Sequence, residues 1–229
     1  MEICKLENIR KDYFMGEPVT PINGLSLTVN AGDLIAVEGP SGIGKSTLLY
    51  ILGLLLQSDG GSHVFEGRAV SALSDKEKSA LRAQKIGFLF QDATLIQALT
   101  LRENLLFSCH IGGKTAVCRK RVDELLHRFG LEDRADFLPH QLSGGQRRRV
   151  MAARCLIHRP ILILADEPTN DLDEHWSVEI MRALQEEAQR GAGVVMVTHN
   201  SRWAKLAENR YDLHDGMLTH VTNKENEKQ

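Results

Sequence analysis

Three short, continuous apolar runs constrain this chain more than any other feature: Leu34 to Glu38, Ile161 to Ala165 and Val194 to Thr198. A strand with one wet face alternates apolar and polar residues, whereas an unbroken run fits a strand covered on both faces. Stretches of helical length separate the runs, at Ser46 to Leu56, Gln146 to His158 and Trp176 to Gln189. Strand and helix in alternation predict an α/β fold with a mainly parallel sheet. The amino-terminal part reads differently. Cys4 to Ile9 and Leu25 to Val29 are expected strands, and Leu25, Leu27 and Val29 alternate with Ser26 and Thr28 as in a half-buried β lobe, before the turn Asn30-Ala31-Gly32-Asp33.

Further along, a Gly-Gly turn precedes a short strand at His63 to Phe65. Ser74-Asp75-Lys76-Glu77 has the form of a capping box, and Lys85 to Phe90 returns as a strand. Residues 92–145 read as a helical insertion, with Val122, Leu125, Leu126 and Phe129 on one face of a helix closed by Gly130. Residues 1–91 and 146–222 then form the core with its β lobe, and 223–229 a polar, frayed tail. At 229 residues the chain suits one folding unit.

Composition excludes several classes. Twenty-eight basic and thirty acidic residues leave a formal charge of −2, so no overall field draws the chain to nucleic acid or an anionic membrane. The longest apolar run, Leu48 to Leu56, is interrupted by Tyr50 and Gly53 and is about half the ~20 residues of a membrane span. The amino terminus lacks the apolar stretch of a secretion signal, and the chain is expected not to cross a membrane. Cys4, Cys109, Cys118 and Cys155 lack the short paired spacings of zinc or redox sites and are expected to be reduced structural thiols of a cytosolic protein.

The second feature is chemical. Gly39-Pro40-Ser41-Gly42-Ile43-Gly44-Lys45-Ser46, followed by Thr47, matches G-x-x-x-x-G-K-[ST] and sits between an expected strand and an expected helix. Glycines let successive N–H groups curl around an anion, and the helix start adds its positive end. Lys45 is placed to reach the β- and γ-phosphates of a nucleoside triphosphate, and the Ser46 hydroxyl to bind Mg²⁺. A glycine-rich turn that merely precedes a helix needs neither the lysine nor the hydroxyl. The apolar run ending at Ala165 delivers two acids, Asp166 to hold Mg²⁺ and Glu167 to polarise an attacking water, while Pro168 restricts the chain just after them.

Leu142-Ser143-Gly144-Gly145-Gln146 resembles the signature sequence of the ABC ATPases. Physically, Ser143, Gly144 and Gly145 at a helix start, with Gln146, make a second anion cradle. Two cradles in one chain make sense if the second clamps the γ-phosphate of an ATP held by a second copy of the chain. The resemblance extends over nearly the whole chain. It implies an adenine-stacking role for Tyr13, a Q-loop role for Gln91 in catalysis and metal binding, a D-loop role for Asp173, and a switch role for His199 at the γ-phosphate. Ser46, Gln91 and Asp166 are the implied metal set, and Glu167, His199 and Gln91 the catalytic one. The other eight histidines are read as structural. Arg147, Arg148 and Arg149 fall within one turn and are read as a solvated or phosphate-adjacent helix face.

The same resemblance implies a P-loop NTPase core with an antiparallel β lobe and a helical insertion, ATP and Mg²⁺ as cofactors, and a head-to-tail dimer. It further implies a separate transmembrane permease as partner, at the inner face of the cell membrane, with no direct nucleic-acid contact. Phe90, Leu95, Ile96 and Leu99 are candidates for the permease groove. Gly39-Pro40-Ser41-Gly42 and Ile86-Gly87-Phe88-Leu89-Phe90-Gln91-Asp92 look most like the branch serving macrolide export, lipoprotein release, peptide-antibiotic resistance and cell-division signalling. Asn170-Asp171-Leu172-Asp173 departs from that branch's usual Gly-Asn-Leu-Asp. A soluble ABC ATPase acting on DNA or ribosomes is the alternative, but such relatives carry long coiled-coil insertions or two cassettes. A nucleotide sensor without hydrolysis has no need of both Glu167 and His199.

Overall fold

The structure, a computed structural model, describes residues 1–14, 16–90, 95–113 and 115–221, with backbone alone for 115–117. Strands β1 (Glu2–Phe14) and β2 (Pro18–Asn30) form a long antiparallel hairpin, followed by β3 (Leu34–Glu38) and helix α1 (Lys45–Leu52). Next come β4 (Gly60–Phe65), β5 (Arg68–Ala69), α2 (Asp75–Lys85) and β6 (Ile86–Leu89). The insertion holds α3 (Leu101–Ile111) and α4 (Thr115–Arg128), and the chain returns through α5 (Gly144–Leu156), β7 (Leu162–Asp166), α6 (Glu174–Gln189) and β8 (Gly193–Val197). It closes with α7 (Ser201–Ala204), β9 (Asn209–His214) and β10 (Met217–His220).

Two sheets result. One is antiparallel, ordered β2-β1-β4-β5; the other is six-stranded, ordered β10-β9-β3-β8-β7-β6, parallel except for the edge strand β10. The apolar runs are central strands, as their sequence requires. Alternate residues divide between the two faces: Ile35, Val37, Leu162, Leu164, Val195 and Val197 pack with α1 and the β lobe. Their neighbours Leu34, Ala36, Ile163, Ala165, Val194 and Met196 pack with the helices of the other face.

Helix α1 ends at Leu52, short of the expected Leu56. A Cβ on Gly53 would lie 2.5 Å from the Phe88 ring, and Leu54 takes a positive φ of 58°, so the leucine-rich stretch turns away from the helix axis. Strands β9 and β10 were not expected. Asp215 and Gly216, both at positive φ, make the two-residue turn between them, and Asp-Gly is a hairpin signal that marks this position in the sequence.

The expectation of four reduced cysteines is corrected. Cys4 and Cys155 are free and buried, but Cys109 and Cys118 form a disulfide between α3 and α4, their Cα atoms 6.3 Å apart. The helices run back on each other across a short turn, which brings together residues that one continuous helix would hold apart. The insertion is also tied to the core by charge: Arg128 of α4 pairs with Glu179 and Glu186 of α6, and Arg121 with Glu187. The expected polar tail, 223–229, lies outside the described residues.

Candidate functional site

The register of the parallel sheet brings three strand ends to one level. Val37 of β3 pairs with Val197 of β8, and Val197 also faces Asp166 of β7. The loop after β3, the acids ending β7 and the residues after β8 therefore meet at the carboxyl edge of the sheet, where α/β proteins bind ligands. The Asp166 strand is separated from the P-loop strand by β8, yet its side chain reaches across: the Ser46 hydroxyl donates to Asp166 Oδ2 at 2.8 Å.

The P-loop backbone depends on its glycines. Gly39, Gly42 and Gly44 all lie at positive φ, and a Cβ on Gly44 would sit 2.7 Å from the Pro21 carbonyl. Gly44 also caps α1 without any side-chain acceptor, and the first turn holds no acid, so its N–H groups face the loop without a carboxylate competing for them. Lys45 Nζ folds over this loop, donating to the Gly39 and Pro40 carbonyls at 2.6 and 2.8 Å. These carbonyls hold the ammonium beside the place a phosphate would take.

Glu167 is held from several sides. Its φ of 45° is unusual for a side chain other than glycine, and its N–H donates to the Val197 carbonyl. One carboxylate oxygen accepts the His199 backbone N–H at 3.0 Å and lies 2.7 Å from His199 Nδ1; the other accepts the Thr198 hydroxyl at 3.0 Å. Burial, the largest cause, raises the pKa of neighbouring Asp166; the Ser46 hydroxyl opposes this and the charge of Glu167 adds to it. A buried carboxylate beside a like charge and a hydroxyl is a set of hard oxygen donors suited to Mg²⁺, which commonly takes one or two protein oxygens and completes its shell with phosphate and water.

The remaining expected residues are placed elsewhere on the chain. Ser143 caps α5 in a capping box with Gln146, whose N–H reaches the serine hydroxyl at 3.2 Å, and no acid lies in the first turn. Gly144 has open space where a side chain would stand, while Gly145 is pressed against the Asp171 carbonyl. Among the described residues no hydrogen bond joins Ser143, Gly144, Gly145 or Gln146 to the P-loop. Asp173 caps α6 through the Trp176 N–H at 3.0 Å. Tyr13 stands near the tip of the β1–β2 hairpin with the Lys11 ammonium 5.6 Å from its ring centroid. Gln91 lies outside the described residues.

The reading of Arg147, Arg148 and Arg149 as a solvated face is corrected. Arg147 is exposed and donates to the Leu142 carbonyl, but the other two are buried. Arg148 donates to the carbonyls of Phe90, Asp166, Glu167 and Pro168. Arg149 donates to the Phe129 carbonyl and stacks over Trp176 at 3.9 Å. Carbonyl acceptors brought in from distant segments bury these cations, and no charge count along one helix reveals them. Thr198 also belongs to the site through its bond to Glu167, which its place at the end of an apolar strand does not announce.

A sequence profile described as ABC transporter matches residues 22–170, more than half of the chain. The chain belongs to the ABC transporter family. Its fold is that of the ATP-binding cassettes of that family. The cassette is 39% identical over 217 residues to the macrolide export ATP-binding/permease protein MacB of Chlorobaculum tepidum, covering 94% of this chain and 33% of that protein. It is 40% identical to MacB 1 of Yersinia pestis bv. Antiqua over 98% of this chain and 35% of the relative. The chain thus spans about a third of the length of these curated relatives. Among solved structures it superposes on the ATP-binding cassette MJ0796, a dimer in a post-hydrolysis state bound to ADP and Pi, with a TM-score of 0.90 and 36% identity over 96% of this chain and 98% of that one. The ABC cassette architecture accounts for the mixed fold of antiparallel lobe, parallel core and helical insertion.

Proposed function

We propose that this cassette hydrolyses ATP in a site shared by two copies and passes the resulting closure and opening to a transmembrane permease, in an export system. One observation carries the reading. The chain has two glycine-containing helix starts suited to an anion, at residues 39–47 and 143–146, and among the described residues only the first is hydrogen-bonded to a site acid, Ser46 donating to Asp166 beside Glu167. A second cradle without its own carboxylates completes a site whose acids come from another chain.

In that site Lys45 and the P-loop N–H groups bind the β- and γ-phosphates, with Tyr13 against the adenine and Ser143, Gly144, Gly145, Gln146 and Asp173 contributed by the second copy. Ser46 and Asp166, with Gln91, would hold Mg²⁺, which supplies charge neutralisation at the phosphate oxygens. Glu167 accepts a hydrogen bond from water in line with the γ-phosphate and takes its proton as the new phosphorus–oxygen bond forms and the bond to the β–γ bridging oxygen breaks, so that ADP leaves and phosphate is formed. His199 steadies the carboxylate and the transferring phosphoryl group. Catalysis is then mainly positioning and electrostatic stabilisation.

The MacB relatives are named as joined ATP-binding and permease proteins, which supports a permease partner here and a site at the inner membrane face. Among the described residues no helix is long and apolar enough to cross a membrane. Of the candidate groove residues, Phe90 and Leu95 belong to the core and Ile96 is exposed, together with Leu55, Phe107 and Ile111. Mixing Lys45→Ala and Ser143→Ala chains tests the shared site. Each is expected to be inactive alone, and the mixture to regain hydrolysis from the one intact composite site. Mixtures that form dimers and regain nothing would overturn the reading.

A further inference from the structure

We infer that Arg148 is the positioning residue that links the signature helix α5 to the same chain's catalytic glutamate, and thereby couples the two nucleotide sites of a dimer. The inference rests on the shared-site reading above and goes beyond it.

The geometry is specific. Arg148 is 3% exposed and spends its donors on main-chain carbonyls: Nη1 to Phe90 at 3.0 Å, Nη2 to Asp166 at 2.7 Å and also to Glu167, and Nε to Pro168 at 3.3 Å. Among the described residues no carboxylate is hydrogen-bonded to it, and Asp166, Asp171 and Glu167 act on it through space. Burying a guanidinium among neutral acceptors is costly, so its retention calls for a reason beyond packing. Its planar fork holds carbonyls from two separate segments in one geometry, which a point-like ammonium cannot do. One segment carries both site acids. The other carries Phe90, the residue before Gln91 in the sequence.

Glu167 needs holding. Its positive φ is a sparsely populated conformation that persists only where surrounding contacts enforce it, and Arg148 grips the carbonyl of that very residue. The grip originates on α5, whose capped start at Ser143 lies about 7.5 Å away along a rigid helix. Ser143 faces the ATP of the opposite site, whereas Glu167 serves the ATP on its own P-loop. A shift of α5 when the opposite site fills is therefore carried to the carbonyls that set the direction of Glu167. Arg149, the next residue, ties α5 to the end of α4, so the helix moves with the insertion.

The test uses the full chain with Arg148→Met and Arg148→Lys, assayed by steady-state hydrolysis over a range of ATP concentrations. The account expects KM near wild type, a kcat reduced at least ~10-fold as for other lost positioning contacts, and a Hill coefficient falling from above 1 toward 1. Lysine keeps the charge without the fork and is expected to restore the melting temperature but not the Hill coefficient. If the methionine variant does not fold, the lysine variant decides alone. Wild-type kcat and Hill coefficient in a folded Arg148→Lys protein would overturn the inference. Glu167→Gln is examined beside them for ATP-dependent dimers: dimers there together with unaltered Arg148 variants would sink this coupling and spare the shared site, whereas no dimers would remove the shared site itself.

Discussion

Replacing Thr198 by valine removes one hydroxyl and leaves the shape of a fully buried residue almost unchanged. That hydroxyl donates to Glu167 Oε2 at 3.0 Å and accepts the Asn200 N–H at 3.1 Å, while the Thr198 backbone N–H is bonded to the Val37 carbonyl and is untouched. Glu167 keeps the His199 backbone N–H and the contact with His199 Nδ1 on the other oxygen, so the carboxylate stays in the site but gains freedom to rotate. A hydrogen bond to a charged group is worth about 1.5–3 kcal/mol, and each ~1.4 kcal/mol is tenfold in rate, so kcat should fall about ten- to a hundredfold. Thr198 is hydrogen-bonded to neither Lys45 nor Ser46, and KM for ATP should stay near wild type. Steady-state hydrolysis, with binding of a fluorescent ATP analogue as control, measures both. Thr198→Ser restores the hydroxyl and should restore kcat. A valine variant that binds nucleotide and turns over at the wild-type rate would refute the positioning assigned to Thr198.

Three further outcomes follow from other parts of the molecule. Burial lowers the His63 pKa from 6.5 to about 4. The unfolded chain therefore takes up a proton that the folded chain refuses, and stability should fall as pH drops through that window, by about 3 kcal/mol once both states are protonated. Urea titrations at several pH values should show this slope in wild type and a shallower one in His63→Gln. Reducing the Cys109–Cys118 disulfide opens a link of sequence separation 9 and should cost about 2–3 kcal/mol, read as a lower melting temperature in dithiothreitol that the double serine variant does not share. Gly44→Ala places a Cβ against the Pro21 carbonyl at a φ of 117°, and should abolish ATP binding in a calorimetric titration while the far-ultraviolet circular dichroism of the chain is retained.

The centre of the fold was legible because its physics is local. An apolar run buried on both faces must be an inner strand, and β3, β7 and β8 divide their alternate residues between the two core clusters as that requires. Ser74 and Thr100 each close a capping box, and the first of these is readable from four consecutive residues. What escaped was set by partners far along the chain. Arg148 meets carbonyls 18 to 58 residues away, so a run of three arginines gave no sign that two of them are buried. Cys109 and Cys118 pair only because α3 and α4 fold back on one another. Thr198 ends an apolar strand, and its service to Glu167 depends on β8 lying beside β7. Strands β9 and β10 are a different case: the Asp215-Gly216 turn was present in the sequence, but its flanks are only partly buried and lack a strong apolar alternation.

The shared site is the claim on which the rest depends, and Glu167→Gln addresses it most directly. Glutamine cannot take the proton of the attacking water but keeps the shape of the carboxylate, so ATP should bind and remain intact. Light scattering on the variant in saturating ATP should show the mass rising from 25.6 kDa to twice that value, with hydrolysis nearly abolished. A variant that remains at 25.6 kDa in ATP and hydrolyses at the wild-type rate would contradict the account.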